Sequence, residues 1–193
     1  VTALYDSNRK NIQLCRKITA GGEGTIYQTN IPGMVAKIYK KEKLNRTRHE
    51  KLCLLARKNL SCDGVCFPLA LLYDKEYNFV GYLMRQAHGR ELQKCVFQPQ
   101  LLKKYFPSWT KQDTVTLCIT ILKKLKYLHD RNIILGDINP NNILVVSPTE
   151  VYFVDTDSYQ IEGFPCPVGT INFTAPEIQR KDFSTFLRTI GNE

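Results

Sequence analysis

The first half of the chain alternates between apolar runs and polar or turn-forming residues. From residue 11 to residue 39, Ile12, Leu14 and Ile18 are separated by polar residues, and a glycine cluster and a Pro32-Gly33 pair interrupt the pattern. A period of two is typical of half-buried strands, and glycine and proline mark turns. The pattern predicts three short strands over residues 12–18, 25–27 and 34–39, and two more over residues 67–73 and 78–84.

Other segments change to helical spacing. Residues 40–59 place Leu44, Leu52 and Leu55 among many basic residues, and residues 113–129 repeat apolar positions three and four apart, which predicts two helices. Short apolar runs over residues 143–146 and 151–154 predict a small hairpin. The fold class is therefore predicted as α+β, a β-rich half followed by a mainly helical half, and a cleft between the halves is the expected ligand site.

Composition narrows the class of protein. The 193 residues are 43% hydrophobic and 23% charged, which is typical of a globular domain and excludes a disordered or collagen-like chain. No apolar run approaches the roughly 20 residues of a membrane-spanning helix. A chain that opens on Val1 without the layout of a secretory signal is interpreted as an excised or processed segment of a cytoplasmic domain.

The net charge of +9 comes partly from a basic run over residues 40–58. Nucleic acid is a weaker explanation of this charge than a solvated helix face, since neither an aromatic stacking platform nor a groove-reading motif accompanies the run. An acidic protein partner explains the charge equally well.

Seven cysteines are an odd number, scattered through apolar surroundings, which favours reduced thiols over a disulfide framework. Cys62 and Cys66 would need a second pair at comparable spacing to hold zinc, and the sequence offers none.

Two features of the β-rich half are suited to phosphate. Gly21, Gly22 and Gly24 lie at a predicted turn, where glycine lets backbone N–H groups approach an anion, although such a cluster is also typical of a plain hairpin tip. Lys37 lies on an apolar strand, where an inward ammonium needs an anionic partner; an outward-facing lysine is the structural alternative.

The second half carries oxygen ligands around the predicted hairpin. Asp137 and Asn142 lie in the loop before it, and Asp155 follows its second strand. Carboxylate and amide oxygens suit Mg²⁺, which is bound through few protein groups together with substrate phosphates. Turn chemistry is the alternative, because Asn and Asp also favour turns.

Taken in order, these motifs resemble a eukaryotic-type protein kinase domain. The resemblance rests on the glycine turn, Lys37, the Asp137-x-x-x-x-Asn142 loop, Asp155 and a closing Ala175-Pro176-Glu177, and it covers residues 12 to 177. More narrowly, the chain is similar to a bacterial branch whose members carry helix-hairpin-helix domains or are encoded beside metal-dependent phosphatases and von Willebrand A proteins. Such a phosphatase or von Willebrand A protein is the partner that this branch implies.

The resemblance implies a two-lobed fold, with an N-lobe over residues 1–87 and a partial helical C-lobe over residues 88–193. It implies ATP and Mg²⁺ as cofactors and a protein hydroxyl as substrate. Asp137 would orient the hydroxyl and accept its proton, Lys37 would hold the α and β phosphates, and Asn142 and Asp155 would bind magnesium. Glu50, or else Glu42, would be the ion-pair partner of Lys37.

Further positions of the nucleotide site follow from the same resemblance. The glycines Gly21, Gly22 and Gly24 would cover the phosphates, and residues 85–87 would be the hinge at the adenine edge. Ile18, Ile26, Val35 and Leu144 would sandwich the adenine, and Met84 would lie at the back of the pocket. The hinge, from Arg85 to Ala87, would hydrogen-bond the adenine edge.

Three departures weaken the kinase pattern. Gly136 replaces the arginine of His-Arg-Asp, which in kinases contacts a phosphate on the activation loop. Ordering of that loop by phosphorylation is therefore not expected. Asn139 replaces a lysine near the transferred group, which predicts slow transfer. Thr156 and Asp157 replace the Phe and Gly of Asp-Phe-Gly. Two hypotheses therefore stand: a Ser/Thr protein kinase with attenuated activity, and a nucleotide-binding pseudokinase or scaffold.

Kinases continue beyond Ala-Pro-Glu into further helices, whereas only residues 178–193 follow here. The chain is interpreted as a domain fragment or a truncated relative. An apolar surface on the 113–129 helix is then expected to be exposed and to favour self-association or a partner; its members are Val115, Ile119, Ile121, Leu122 and Leu125.

Overall fold

The computed structural model describes residues 3–193 and divides them into two compact units. Val1, on which the expectation of a processed segment rests, lies outside the described residues. Unit 1 comprises the residues up to Ser61 together with Phe67–Gln86, and unit 2 comprises Cys62–Cys66 and Ala87–Glu193. The mixture of helices and strands is that of the α+β class.

Six antiparallel strands form a closed barrel in unit 1, in the order β1-β2-β3-β4-β6-β5. The five strands predicted from the alternating pattern are confirmed, whereas β1 was not predicted. Because β1 pairs with both β2 and β5, this four-residue strand closes the barrel. The strands are β1 (Ala3–Asp6), β2 (Asn11–Ala20), β3 (Gly24–Thr29), β4 (Met34–Tyr39), β5 (Ala70–Tyr73) and β6 (Phe79–Arg85).

The core of the barrel is apolar. Leu4, Ile12, Ala36, Leu72 and Leu83 are buried in one cluster. Ala36 of β4 lies opposite Leu83 of β6 in the strand register. Side chains alternate between the two faces of a strand, so the residues on either side of these two point away from the cluster.

One helix, α1 (Arg46–Arg57), belongs to unit 1. Its N-cap is Asn45, whose side chain accepts a hydrogen bond of 2.8 Å from the backbone N–H of Arg48. The helix predicted over residues 40–59 is thus confirmed but begins later, because Lys41–Lys43 form a separate 3₁₀ turn and Asn45 is extended.

Two helices of unit 2 are α2 (Pro99–Tyr105) and α3 (Lys111–His129). The hydroxyl of Thr110 and the carboxylate of Asp113 form a reciprocal capping box at the start of α3. This box explains why α3 begins two residues before the apolar periodicity that predicted it.

The strands of unit 2 are short. The predicted hairpin is confirmed as β9 (Ile143–Ser147) and β10 (Glu150–Phe153), and β7 (Arg90–Glu91) adds a third strand to β9. A separate pair joins β8 (Ile133–Ile134) to β11 (Gln160–Ile161). The two-residue strands were not predicted, because they are too short to show a period.

The residues Cys62–Cys66 belong to unit 2 although they interrupt unit 1 in sequence. The backbone N–H of Cys66 donates to the carbonyl of Phe153 at 3.0 Å, and the buried hydroxyl of Thr156 donates to the carbonyl of Cys66 at 2.6 Å. Cys66 therefore supports the β10 end of the hairpin, and none of the seven cysteines, all of which lie within residues 3–193, forms a disulfide.

Three of the five apolar residues that were expected to be exposed on α3 are exposed. Val115, Ile119 and Leu122 are 51%, 47% and 60% exposed, whereas Ile121 and Leu125 are partly covered. Across residues 3–193, no helix combines the length and the hydropathy required to cross a bilayer.

Core packing of the barrel can be tested at Leu72, which is fully buried, against Leu69, which is 41% exposed. We expect Leu72→Ala to lower the free energy of unfolding by about 2–5 kcal/mol, because it removes a buried side chain and leaves a cavity. Leu69→Ala should cost less than about 1 kcal/mol. Chemical denaturation of the two variants measures the difference, and equal losses would contradict the assigned core.

Candidate functional site

The glycine cluster forms the turn between β2 and β3. The backbone N–H of Gly21 donates to the carbonyl of Gly24 at 2.9 Å and closes the turn. A Cβ added at Gly21 or Gly22 would meet no atom within 4 Å, whereas a Cβ at Gly24 would overlap the carbonyl oxygen of Ile38. A side chain would thus fit at Gly21 and Gly22, at the tip of the turn, whereas position 24 at its base requires glycine.

Lys37 is buried on β4 and forms an ion pair with the same turn. Its Nζ lies 3.3 Å from Oε2 of Glu23, and the other carboxylate oxygen of Glu23 accepts a 2.6 Å hydrogen bond from Nη2 of Arg48. Both cations lie over the ring of Tyr39, Lys37 Nζ at 5.5 Å and Arg48 Cζ at 4.6 Å from its centroid. One carboxylate therefore neutralises two cations that approach one aromatic ring.

The two glutamates expected as partners of Lys37 have other surroundings in the structure. Glu50 is exposed on α1 and forms an ion pair with Arg46 one turn earlier, at 2.7 Å. This contact raises the pKa of Arg46. Glu42 is also exposed, in the 3₁₀ turn before α1. The buried positions of α1, which include Leu52 and Leu55, lie on another face from Glu50.

Glu23 was not identified from the sequence, because a glutamate between glycines has the appearance of a polar hairpin tip. The sequence did contain one indication: Glu23 precedes Lys37 by 14 residues. Antiparallel pairing of β3 with β4 brings two residues at this separation into contact.

The strand register groups several residues expected at the adenine. Ile26 lies opposite Lys37, and Val35 lies opposite Met84. All four belong to the face of the sheet that points away from the Ala36–Leu83 pair. Val35 and Met84 are buried, whereas Ile18 and Arg85 are exposed.

Ala87 and Leu144 belong to unit 2. Leu144 lies on β9, opposite Glu91 of β7, and it borders a groove of about 540 Å³ lined also by residues of β7 and α2. In the lining of the groove, the guanidinium of Arg90 stacks 3.7 Å from the ring centroid of Tyr105. The groove thus combines apolar residues, Leu101 and Leu144, with a cation held against an aromatic ring.

The loop before β9 holds Asp137 through a threonine that is remote in sequence. The hydroxyl of Thr170 donates to Oδ1 of Asp137 at 2.8 Å and accepts a 3.0 Å hydrogen bond from Nδ2 of Asn139. The carbonyl group of the Asn139 side chain accepts from the backbone and side chain of Asn141, both at 2.9 Å. Asp137 is therefore oriented through one oxygen, while its Oδ2 accepts no hydrogen bond from residues 3–193.

Asn142 and Asp155 lie at the same end of the β9–β10 hairpin. The N–H of Val154, the residue before Asp155, donates to the carbonyl of Asn142 at 3.0 Å. Asp155 has φ of 55°, a left-handed conformation that is uncommon outside glycine and clusters at functional sites. Its carbonyl accepts from the N–H and hydroxyl of Ser158, at 3.2 Å and 2.9 Å, which fixes this turn.

The donor chemistry at this end fits magnesium. Asp155 offers a carboxylate and Asn142 an amide oxygen, and the Asn142 side chain has no hydrogen-bond partner within residues 3–193. No group of three or more His, Cys, Asp or Glu residues occurs in the described part of the chain. A two-residue oxygen set is typical of Mg²⁺ bound together with phosphates and water, and it does not fit a closed zinc site.

Known proteins with similar sequences are protein kinases. The chain is 26% identical to protein kinase YegI of Escherichia coli over 199 aligned residues, which cover 98% of this chain and 31% of that protein. It is 27% identical over 145 residues to serine/threonine-protein kinase nekl-2 of Caenorhabditis elegans, covering 68% of the chain and 40% of that kinase. It matches the meiosis-specific serine/threonine-protein kinase mek1 of Schizosaccharomyces pombe at 38% identity over 78 residues, 35% of the chain and 17% of that kinase.

The chain matches no protein-family model. The similarity to protein kinases nevertheless supports a kinase-like domain, while the narrower bacterial branch stays a prediction. The chain spans 31% of the length of protein kinase YegI.

The left-handed backbone at Asp155 generates a test that separates stability from ligand binding. We expect Asp155→Gly to raise the free energy of unfolding by about 0.5–1 kcal/mol, since glycine adopts φ > 0 without steric cost, while magnesium-dependent nucleotide binding is lost. Asn132→Gly is the control, because Asn132 is exposed and also left-handed, at φ of 54°. Denaturation and calorimetry of both variants decide; unchanged binding in Asp155→Gly would remove Asp155 from the site.

Proposed function

We propose that the chain is a kinase-like domain that uses ATP and Mg²⁺ to transfer the γ-phosphoryl group to a serine or threonine hydroxyl of a protein. The observation that carries this proposal is the loop geometry of unit 2, in which Asp137 is oriented by Thr170 while Oδ2 of Asp137 stays available. The similarity to protein kinases over almost the whole chain supports the same reaction.

The chemical step assigns a role to Asp137. The substrate hydroxyl oxygen bonds to the γ-phosphorus as the bond from that phosphorus to the β–γ bridging oxygen breaks, and ADP departs. Asp137 accepts the hydroxyl proton on Oδ2, while its Oδ1 is already held by Thr170. A carboxylate held through one oxygen loses little orientational freedom in this step, which is the advantage of a positioned base.

Phosphate oxygens require cations and N–H donors as partners. Lys37 is the cation for the α and β phosphates, and the glycine turn offers backbone N–H groups without obstructing side chains. Glu23 takes the part of the expected helix glutamate by holding the Lys37 ammonium in place. Bound magnesium would supply charge neutralisation at the phosphates, with Asn142 and Asp155 as its protein ligands.

A second candidate function is a nucleotide-binding module with little transfer. The observation that favours it is Asn139, a neutral residue whose side chain donates to Thr170. A lysine in its place would add a positive charge near the transferred group, and transition-state charge stabilisation is the main contribution of the protein in this chemistry. The two candidates share nucleotide binding and differ in transfer.

The transfer assay separates the two candidates. We expect the full-length protein to move radiolabelled γ-phosphate to protein substrate, and Asp137→Asn to lower the rate by about 100-fold or more, because the proton acceptor is lost. ATP–Mg²⁺ affinity by calorimetry should stay unchanged in the same variant. Nucleotide binding without any transfer by the unmodified protein would favour the binding module, and absence of nucleotide binding would contradict both.

The partner of Lys37 can be tested by a matched pair of charge-removing variants. We expect Glu23→Gln to weaken ATP–Mg²⁺ binding or transfer about tenfold, since it loses the carboxylate that holds Lys37, whereas Glu50→Gln should change neither. Lys37→Ala provides the reference for complete loss of the cation. If Glu50→Gln proved the more damaging substitution, the assignment of Glu23 would be wrong.

A further inference from the structure

Arg188 is a buried arginine whose hydrogen-bond acceptors lie 20 and 22 residues earlier in the sequence. Only 4% of its surface is exposed, and Nη1 and Nη2 each donate a 2.7 Å hydrogen bond, to the backbone carbonyls of Cys166 and Val168. Its guanidinium carbon lies 3.9 Å from the ring centroid of Phe183. Such a charged, two-pronged contact is geometrically specific in a way that a lysine cannot reproduce.

The backbone of Arg188 is anchored to the strand pair that leads into the Asp137 loop. Its N–H donates to the side-chain oxygen of Gln160, and the side-chain nitrogen of Gln160 donates to its carbonyl, both at 2.7 Å. Gln160 belongs to β11 and pairs with Ile134 of β8, three residues before Asp137. The guanidinium thus reaches Cys166 and Val168 from a base that is fixed on the loop side.

The position of Arg188 depends on glycine at residue 136. Gly136 has φ of 74°, and a Cβ there would overlap the Cβ of Cys166 and approach Nη1 of Arg188 to 2.9 Å. Position 136 is also where the kinase pattern has the arginine that contacts an activating phosphate. In this chain the cation beside that backbone position is Arg188, and it binds carbonyl groups instead of a phosphate.

The carbonyls held by Arg188 belong to residues four and two positions before Thr170. We call residues 166–170 the clamped segment. Gly169 packs against the Arg188–Phe183 pair, since a Cβ there would lie 2.9 Å from Nη2 of Arg188 and 2.9 Å from Cε2 of Phe183. Thr170, the next residue, donates to Oδ1 of Asp137 at 2.8 Å. Fixing the two carbonyls therefore fixes the direction from which the Thr170 hydroxyl approaches Asp137.

We propose that Arg188 is a positioning residue that keeps the clamped segment in its Asp137-bonded arrangement without phosphorylation of any residue. Both Nη atoms are bonded to carbonyls and Nε is buried, so a guanidinium that is 4% exposed is not accessible to a phosphate. Its role in catalysis rests on the proposed function, whereas its hold on residues 166–170 does not.

Thiol labelling measures that hold without any assay of activity. Cys166 and Cys95 are both buried completely, whereas Cys15 and Cys118 are exposed. In the unmodified chain, iodoacetamide should label the two exposed cysteines and spare the two buried ones, as located by peptide mass spectrometry. In Arg188→Gln we expect Cys166 to be labelled about tenfold faster or more, with Cys95 still protected, because the opening is local.

Two further variants sharpen the labelling result. Arg188→Lys keeps the charge but not the two-pronged contact, so Cys166 should be labelled at an intermediate rate. Arg180→Gln is the matched control, because Arg180 is exposed, and it should behave as the unmodified chain. Phosphatase treatment should leave Cys166 protected. The proposal is overturned if Cys166 stays protected in Arg188→Gln, if Cys95 is exposed in parallel with Cys166, or if phosphatase exposes Cys166.

The effect of Arg188 on catalysis is measured as kcat and KM, determined separately in the full-length protein. Arg188→Gln should lower kcat about tenfold or more at unchanged KM for ATP. Adding Thr170→Val should lower kcat little further, since both changes disrupt the same contact between the clamped segment and Asp137. An unchanged kcat, or a change in KM alone, would contradict the positioning role. Absence of transfer by the unmodified protein would contradict the proposed function instead, and the labelling rates alone would then decide the role of Arg188.

Discussion

The hydroxyl of Thr170 has one hydrogen to donate, and the organisation of the candidate site depends on where that hydrogen goes. It is donated to Oδ1 of Asp137, so the remaining neighbour, Asn139, can only act as a donor to the same oxygen. This polarity sets the orientation of the Asn139 amide, whose oxygen then accepts from Asn141. One hydrogen-bond direction thus fixes three side chains and leaves the second oxygen of Asp137 without a hydrogen bond from residues 3–193.

The hairpin of unit 2 supports this arrangement through its backbone. Pairing of β9 with β10 continues past the strands in the bond from Val154 N–H to the Asn142 carbonyl, so the amide and Asp155 are brought to one end. The left-handed conformation of Asp155 is a local cost that the surrounding hydrogen bonds maintain.

Two charges of the usual kinase pattern are contributed here by other segments of the chain. The carboxylate that pairs with Lys37 comes from Glu23 in the glycine turn and not from α1, and the arginine beside residue 136 comes from position 188. In both cases a charge is present near the expected place but is contributed by another part of the chain. Electrostatic complementarity constrains where a charge lies in space, and it constrains much less which segment provides it.

The sequence by itself determined the elements whose signal is local. Alternation predicted five barrel strands and the three- and four-residue spacing predicted α3, because each of these patterns lies within a few residues. The glycine turn, Lys37 and the Asp137–Asn142 loop pointed to phosphate chemistry through their residue types and their order along the chain. Only the tertiary structure decided which groups meet. Lys37 finds Glu23 across 14 residues, Asp137 finds Thr170 across 33, and Arg188 finds Cys166 across 22. Periodicity reports which face of a strand or helix is buried, whereas the partner of a buried charge depends on strand register and chain reversal, and four-residue β1 closes its barrel for the same non-local reason.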